Sequence, residues 1–515
     1  MLEDIDLNAI QDKNARTLIV RLLNLIEELS ASLREAQIEN QRLRDELNRL
    51  KGEQGKPRIK GNTPKTAPTQ HSSEAERREP RPRKKRSKNA TVPIDREQVL
   101  TVDPELLPAD AEFKGYEAVV VQDVIVKTDN VRFQKEKHYA ASTGQTYLAP
   151  LPPGYQGQFG PGVHALVLTQ YYGQGVSEPK IHEFLTQVGM QISLGQISNM
   201  LTQNRDVFHA EKVEVYEAGL RSSPWQQLDD TLTRVDGQNQ SCHVVSNPVY
   251  TAYFTRPGKD RLTVLDVLRQ DCPRCYCMNA EALAMLSTIS MARASRRCVE
   301  QWESAALLDE ATFMTRLDAE LPRLTVRQRQ WVITAAAIAA YHADPDWPVI
   351  DTLVCDDAPQ FDWLTESMML CWVHEGRPYK KLNPFIAHHR TLLDAFLTRF
   401  WDYYRELRAY QQQPTLEKRE SLSSEFDTLF ATRTGYSQLD RQIAKTQAKK
   451  SSLLTVLDHP ELPLHNNAAE LAVRQRVRKR DVSFGPRSEA GKEAWDTFMS
   501  LAETTKKLGI SFYTY

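Results

Sequence analysis

Residues 8–52 carry a heptad repeat with no Gly or Pro before Gly52, and one long helix is the regular structure that such a run allows. Ile19, Ile26, Leu33, Asn40 and Leu47 fall on one seam, and Ala15, Leu22, Leu29, Ala36, Leu43 and Leu50 on the other. Ile and Leu at a with Leu at d suit a coiled coil, and a lone Asn at an a position fixes register in parallel dimers. An amphipathic helix packed on its own chain shows the same pattern. The length of the repeat favours a coiled coil over 1–52, and with it a homodimer or higher oligomer.

Residues 53–95 lose their large apolar residues and read as a linker. It contains the run Arg77 to Lys88, in which Arg81, Arg83, Lys84, Lys85 and Arg86 can lie on a phosphate backbone without reading sequence. A solvated tail fits that run equally well. The chain's net charge of −1 hides this local asymmetry, which says more about partners than the total does.

A chain of 515 residues leaves room beyond the linker for several domains. Residues 96–160 read as a small β-rich module, with strands expected at Tyr116–Val126 and Val131–Tyr139. Residues 161–210 read as helices with a Gly-containing turn, the shape of a helix-turn-helix, in which Gln196 and Asn199 face outward and can contact DNA. A generic helical hairpin looks the same. Residues 211–515 alternate strands and helices, an α/β core. They include helical insertions near 279–343, read as helical throughout, and 384–460, and a helix is expected at Phe361–Met368.

Seven cysteines, an odd number spread over the chain, do not form a disulfide framework, and the expectation is a reducing cytoplasm. Cys272-Pro-Arg-Cys275 has no second pair at ribbon spacing, so no zinc is expected there. The N-terminus has no secretory h-region, and the apolar run Val332–Ala340 is too short to span a bilayer. No membrane partner is expected.

Three acidic positions stand out in the core. Strands end in Asp229-Asp230 and Asp356-Asp357, and a helix opens with Glu470. Arg474, Arg478, Lys479 and Arg480 follow Glu470, with Glu470, Arg474 and Arg478 on one helix face. Carboxylates converging at strand ends and a helix start suit hard cations such as Mg²⁺, with Mn²⁺ as a substitute. Two such ions stabilise both oxygens of an in-line phosphoryl displacement. Asp pairs also serve as turns and caps, Asn467 to Glu470 also fits a capping box, and Glu470 with Arg474 also fits an ordinary i,i+4 pair.

These motifs carry a resemblance. Asn466-Asn-Ala-Ala-Glu470-Leu-Ala-Val-Arg474, followed by Arg478-Lys-Arg480, Phe484-Gly485 and Gly491, resembles the closing motif of the IS66 family of insertion-sequence transposases. Asp229-Asp-Thr231 is similar to that family's first acidic strand. Asp356 with Cys371-Trp-Val-His374-Glu-Gly-Arg377 is similar to its second acid and the C-W-x-H-x-x-R beyond it. The resemblance implies an RNase H-like core, a mixed sheet flanked by helices, in which Asp229, Asp356 and Glu470 are the catalytic, metal-binding triad. It implies Mg²⁺-dependent cleavage of element ends and joining of 3′ ends to target DNA, in the bacterial nucleoid, with small accessory proteins of the same element as partners. Arg474 and Arg478 are its expected phosphate contacts.

Two departures stand beside it. Residues 90–150 contain no cysteine, so the zinc module of many relatives is not expected, and the chain ends at Tyr515 where relatives commonly run on. A non-catalytic dimeric DNA-binding protein derived from a transposase is the alternative, and a stand-alone nuclease a third.

Overall fold

The computed structural model describes residues 10–51, 92–108, 110–155 and 157–515. The basic run with Arg81, Arg83, Lys84, Lys85 and Arg86 lies outside the described residues.

The heptad segment is a single helix, Lys13–Leu50. One face docks on its own chain. Leu23 is buried with Ile386, and Ile19, Val20 and Ile26 pack around them. Glu27 is buried there as well. Its carboxylate accepts from the N–H groups of Phe385 (2.6 Å) and Ile386 (3.1 Å) and lies 3.2 Å from His389 Nδ1, at the start of the helix Ala387–Gln412. A carboxylate at a helix N-terminus meets free N–H groups and the positive end of the dipole. Asn24 bridges to Gly435 O and Ser437 N, and Arg34 donates to Asn383 O. The alternative read from the heptads, a helix packed on its own chain, thus holds for one face, while Leu22, Leu29, Leu33, Leu43, Leu47 and Leu50 stay exposed.

In the expected β-rich module only a hairpin forms among the described residues, β1 (Lys137–Ala140) with β2 (Gln145–Leu148). The expected strand at 116–126 is corrected. Its alternating valines find no neighbouring strand, and Val119, Val121 and Val124 are exposed. A strand exists only where its N–H and C=O groups are paired. The helices Glu178–Gln187 and Leu194–Thr202 follow, the second capped by Ser193, whose hydroxyl accepts from Gln196 N. Ile181, Leu185, Ile197 and Met200 bury against Phe498 and Met499. Asn199 is exposed and Gln196 half-buried.

The centre is a five-stranded mixed sheet in the order β5-β4-β3-β8-β9. It is built from β3 (Trp225–Val235), β4 (Gln238–Ser246), β5 (Thr251–Arg256), β8 (Thr352–Cys355) and β9 (Ser367–Leu370). The first three form an antiparallel meander, and β8 and β9 run parallel to β3. The meander needs only tight turns such as Asp236-Gly237, where both residues take positive φ. The step to β8 is a crossover of nearly a hundred residues. It is not helical throughout: β6 (Cys275–Met278) and β7 (Ser304–Asp309) pair within it. The expected helix at 361–368 is also corrected, since those residues turn and then enter β9. β9 continues the sheet beside β8, which requires an extended backbone there.

Helices cover both faces. Val326–His342 buries its apolar run among Leu265, Leu268 and Leu353. Ala387–Gln412, Leu416–Phe430 and Ser437–Gln447 form an aromatic-rich bundle around Trp372 and Phe400. The last helix, Glu489–Lys507, lies on β5, where Asp496, Ser500 and Thr504 bond to backbone N–H groups of the strand. Among the described residues no helix is long and apolar enough to cross a membrane.

Candidate active site

β3 and β8 run parallel with Trp225 opposite Thr352 and Gln227 opposite Val354. Extending that register sets Asp229 level with Asp356, just past the C-terminal end of β8. β9 pairs Leu370 with Cys355, so its exit, Cys371, emerges beside them and caps the helix Trp372–Lys381. The C-terminal ends of β8 and β9 thus open beside Asp229, where an α/β sheet presents its working side chains, while β3 runs on past Asp229 to Val235, which corrects the expectation that it ends in the two aspartates.

The third acid is carried there by a stitched segment. Trp372 N donates to Leu464 O (3.0 Å), Gln227 Nε2 to His465 O (2.8 Å) and Asn466 Nδ2 to Leu228 O (2.7 Å). Asn466 is buried and is the N-cap residue of the helix Asn467–Ser483, so Glu470 stands in that helix's first turn above the strand ends. The capping-box reading is thereby corrected: Asn467 is inside the helix, and Asn466 spends its side chain on β3. Two side chains of the helix Trp372–Lys381 reach the Glu470 carboxylate. Arg377 Nη2 reaches both its oxygens, at 3.1 and 3.2 Å, and His374 Nδ1 lies 3.3 Å from Oε1.

Electrostatics tie the three acids together. Burial pushes the Asp229 carboxyl up to about 7, and the carboxylates of Asp356, Glu470 and Asp230 push the same way against one hydrogen bond from Asp230 N–H. Asp356 is raised by burial first, against the pull of His374, and Asp230 and Asp357 add to the rise. One oxygen of Asp356 is buried with no hydrogen-bond partner. An unpartnered buried carboxylate oxygen calls for a partner that the described side chains do not supply. Burial also holds the His374 imidazole below its ordinary value, against the opposing effect of Glu470.

The second acid of each doublet is occupied. Asp230 accepts from Gln360 Nε2 (2.8 Å) and lies 3.7 Å from Lys259 Nζ. Asp357 pairs with Lys449 Nζ at 2.7 Å, and the same ammonium reaches buried Glu375 at 2.9 Å. Alternation along β3 sets Asp229 and Asp230 on opposite faces.

The basic helix divides by face. Arg474 and Arg478 are exposed, and Arg480 is half-buried and donates to Leu232 O. Arg476 and Lys479, three residues apart, both turn inward. The expectation that Lys479 contacts DNA is corrected. Its ammonium donates to Val176 O (3.0 Å) and sits 3.1 Å over the Tyr171 ring, inside the core. Burial pushes Lys479 down to about 7. From about that pH up to the ordinary lysine value near 10.4, the unfolded chain holds a proton that the folded chain has released, so stability rises with pH across the window. Urea midpoints of the native protein are expected to climb through that range, and those of Lys479→Met to climb less. An unchanged slope would place the ammonium in solvent.

Sequence reasoning missed Asn466 and Gln227 as the residues that hold Glu470 in place. It also missed Arg476, which forms an ion pair with Asp496 at 3.1 Å. The one available signal for Asn466 was its place at the head of the helix.

Residues 308–494 match the family model described as "Transposase IS66 family". That span contains Asp356 and Glu470 and begins after Asp229. The chain is also similar to "Uncharacterized protein y4jO" of Sinorhizobium fredii, with 32% identity over 301 residues, covering 58% of this chain and 92% of that protein.

Proposed function

The chain belongs to the IS66 family of transposases, and from that premise we propose that it is a catalytically competent DNA transposase with an RNase H-like DDE core. The observation that carries the reading is the convergence of Asp229, Asp356 and Glu470 at one sheet edge, on elements more than a hundred residues apart. Two Mg²⁺ ions held by these carboxylates would supply an activated water and stabilise the attacking and leaving oxygens of an in-line displacement.

The chain's own residues set up the rest. The β3–β8 register fixes Asp229 and Asp356 relative to each other, and the Asn466 stitch brings Glu470 to them. Arg377 and His374 hold the Glu470 carboxylate in place. Arg474 and Arg478 lie on the same helix face as Glu470, one and two turns on, where they would bind the phosphates flanking the scissile bond. Asn199, on the second helix of the 178–202 pair, is a further DNA contact in this reading.

The test is strand transfer by the purified protein with Mg²⁺, a duplex bearing the element end and a supercoiled target. Joined products support the proposal. Specific end binding with neither cleavage nor joining identifies a non-catalytic DNA-binding descendant, and cleavage without joining a nuclease.

The partner of the exposed leucines is a second copy of this chain. The second half of the N-terminal helix leaves both seams, Leu33, Leu47, Leu43 and Leu50, in solvent, with Asn40 to fix their register. Replacing Leu43 and Leu47 by Glu is expected to convert a dimer to a monomer in sedimentation, with thermal stability of the core unchanged. A native protein that sediments as a monomer would overturn the assignment.

A further inference from the structure

Cys371, His374 and Glu470 make a second donor set at the edge of the site. One ligand atom from each lies within 4.8 Å of the others. A tetrahedral Zn²⁺ with bonds of about 2.0–2.3 Å sets its ligand atoms about 3.3–3.6 Å apart, and His374 Nδ1 to Glu470 Oε1 is 3.3 Å. That imidazole nitrogen is buried and makes no aligned hydrogen bond. Cys371 is the N-cap residue of the helix Trp372–Lys381 and His374 lies in its first turn, so both stand at the helix head beside Glu470. The sulfur of Cys371 accepts from Asn466 N–H at 3.2 Å, which favours an anionic sulfur, although burial outweighs it and pushes the free thiol up to about 12. His374 and Glu470 keep part of their surface in solvent, which gives an ion a way in. Arg377 is the competitor, since it reaches both Glu470 oxygens from a half-exposed position.

Sulfur and imidazole donors select against Mg²⁺, which wants an octahedron of oxygens, and for Zn²⁺. We propose that Cys371, His374 and Glu470 bind Zn²⁺, and that the bound ion takes Glu470 away from the carboxylate cluster and shuts the site. The shut-off rests on the transposase reading; the binding does not.

The test uses the full-length, metal-free, reduced protein titrated with Co²⁺ as a spectroscopic stand-in. A thiolate-to-cobalt charge-transfer absorption with tetrahedral ligand-field bands is expected at one equivalent. It should vanish in Cys371→Ser and require at least about tenfold more Co²⁺ in His374→Ala. It should persist when Cys272 and Cys275 are both replaced by Ser, which excludes the other cysteine pair. No absorption in the native protein, or one that survives Cys371→Ser, overturns the site. If Cys371→Ser does not fold, an unchanged titration in His374→Ala overturns it instead.

Zn²⁺ at the level that displaces Co²⁺ should then stop Mg²⁺-supported strand transfer. Displacement without inhibition overturns the shut-off and leaves the site. Native protein that never joins DNA under Mg²⁺ fails the transposase reading, and the cobalt spectrum still decides the site.

Discussion

Replacing Asp356 by Asn is expected to lower strand transfer by on the order of a thousandfold or more, because it removes a full charge from the ion-binding cluster and changes almost nothing in shape. The carboxylate sits where β8 ends, level with Asp229, with one oxygen buried and unbonded. A group held in that state costs stability unless something else uses it. The same substitution should therefore raise the thermal midpoint of the metal-free protein, since Asp229, Asp230 and Asp357 lose a like charge. Loss of joining together with a gain in stability is the signature of a site residue. Loss of both would mark Asp356 as a structural group, and unchanged joining would remove it from the chemistry. End-duplex binding, followed by mobility shift, should persist in the variant, because the proposed phosphate contacts at Arg474 and Arg478 lie elsewhere.

The largest expected loss of stability comes from Asp496→Ala. Arg476 is almost wholly buried, paired with Asp496 at 3.1 Å, bonded to Thr255 Oγ1 at 2.7 Å and stacked 4.7 Å from the Trp495 ring. Asp496 in turn accepts from both the N–H and the hydroxyl of Thr255. Removing the carboxylate leaves a buried guanidinium without its counter-charge, at a cost of about 3–5 kcal/mol. Replacing both partners by apolar residues of similar volume, Arg476→Met with Asp496→Leu, should recover most of that loss. Urea unfolding of the single and double variants checks both statements, and a single-variant loss under about 1 kcal/mol would put the pair in solvent. The network pins the helix of Glu470 to β5, so Asp496→Ala should also reduce any activity that depends on Glu470.

Much of the local structure was legible. The heptads gave one helix, Lys13–Leu50, and the strand expected before Asp229-Asp230 forms but runs on to Val235. The cap at Ser193 marks a helix start where a cap residue precedes an apolar-periodic run. Where it failed, a nonlocal partner made the difference. The valines of 116–126 have the alternation of a strand but no neighbour to pair with. Ser367–Leu370 has the look of a helix end, but becomes a strand because β8 offers a free edge. The search for zinc followed sequence spacing to Cys272 and Cys275. Cys371 and Glu470, 99 positions apart, show no spacing signal, and only the stitch through Asn466 brings them together.

What the sequence determined by itself was periodicity and order: one long amphipathic helix, strands that carry acids, and Asp229, Asp356 and Glu470 in the order of the family motif. Neighbours within a few residues carry that information, because pleat and helix pitch are local. The tertiary structure decided which acid of each doublet faces the site, which side of the basic helix is core, and what surrounds Glu470. Those choices depend on the parallel register of β3 with β8 and on the packing of Glu489–Lys507, both set by contacts between residues far apart in the chain.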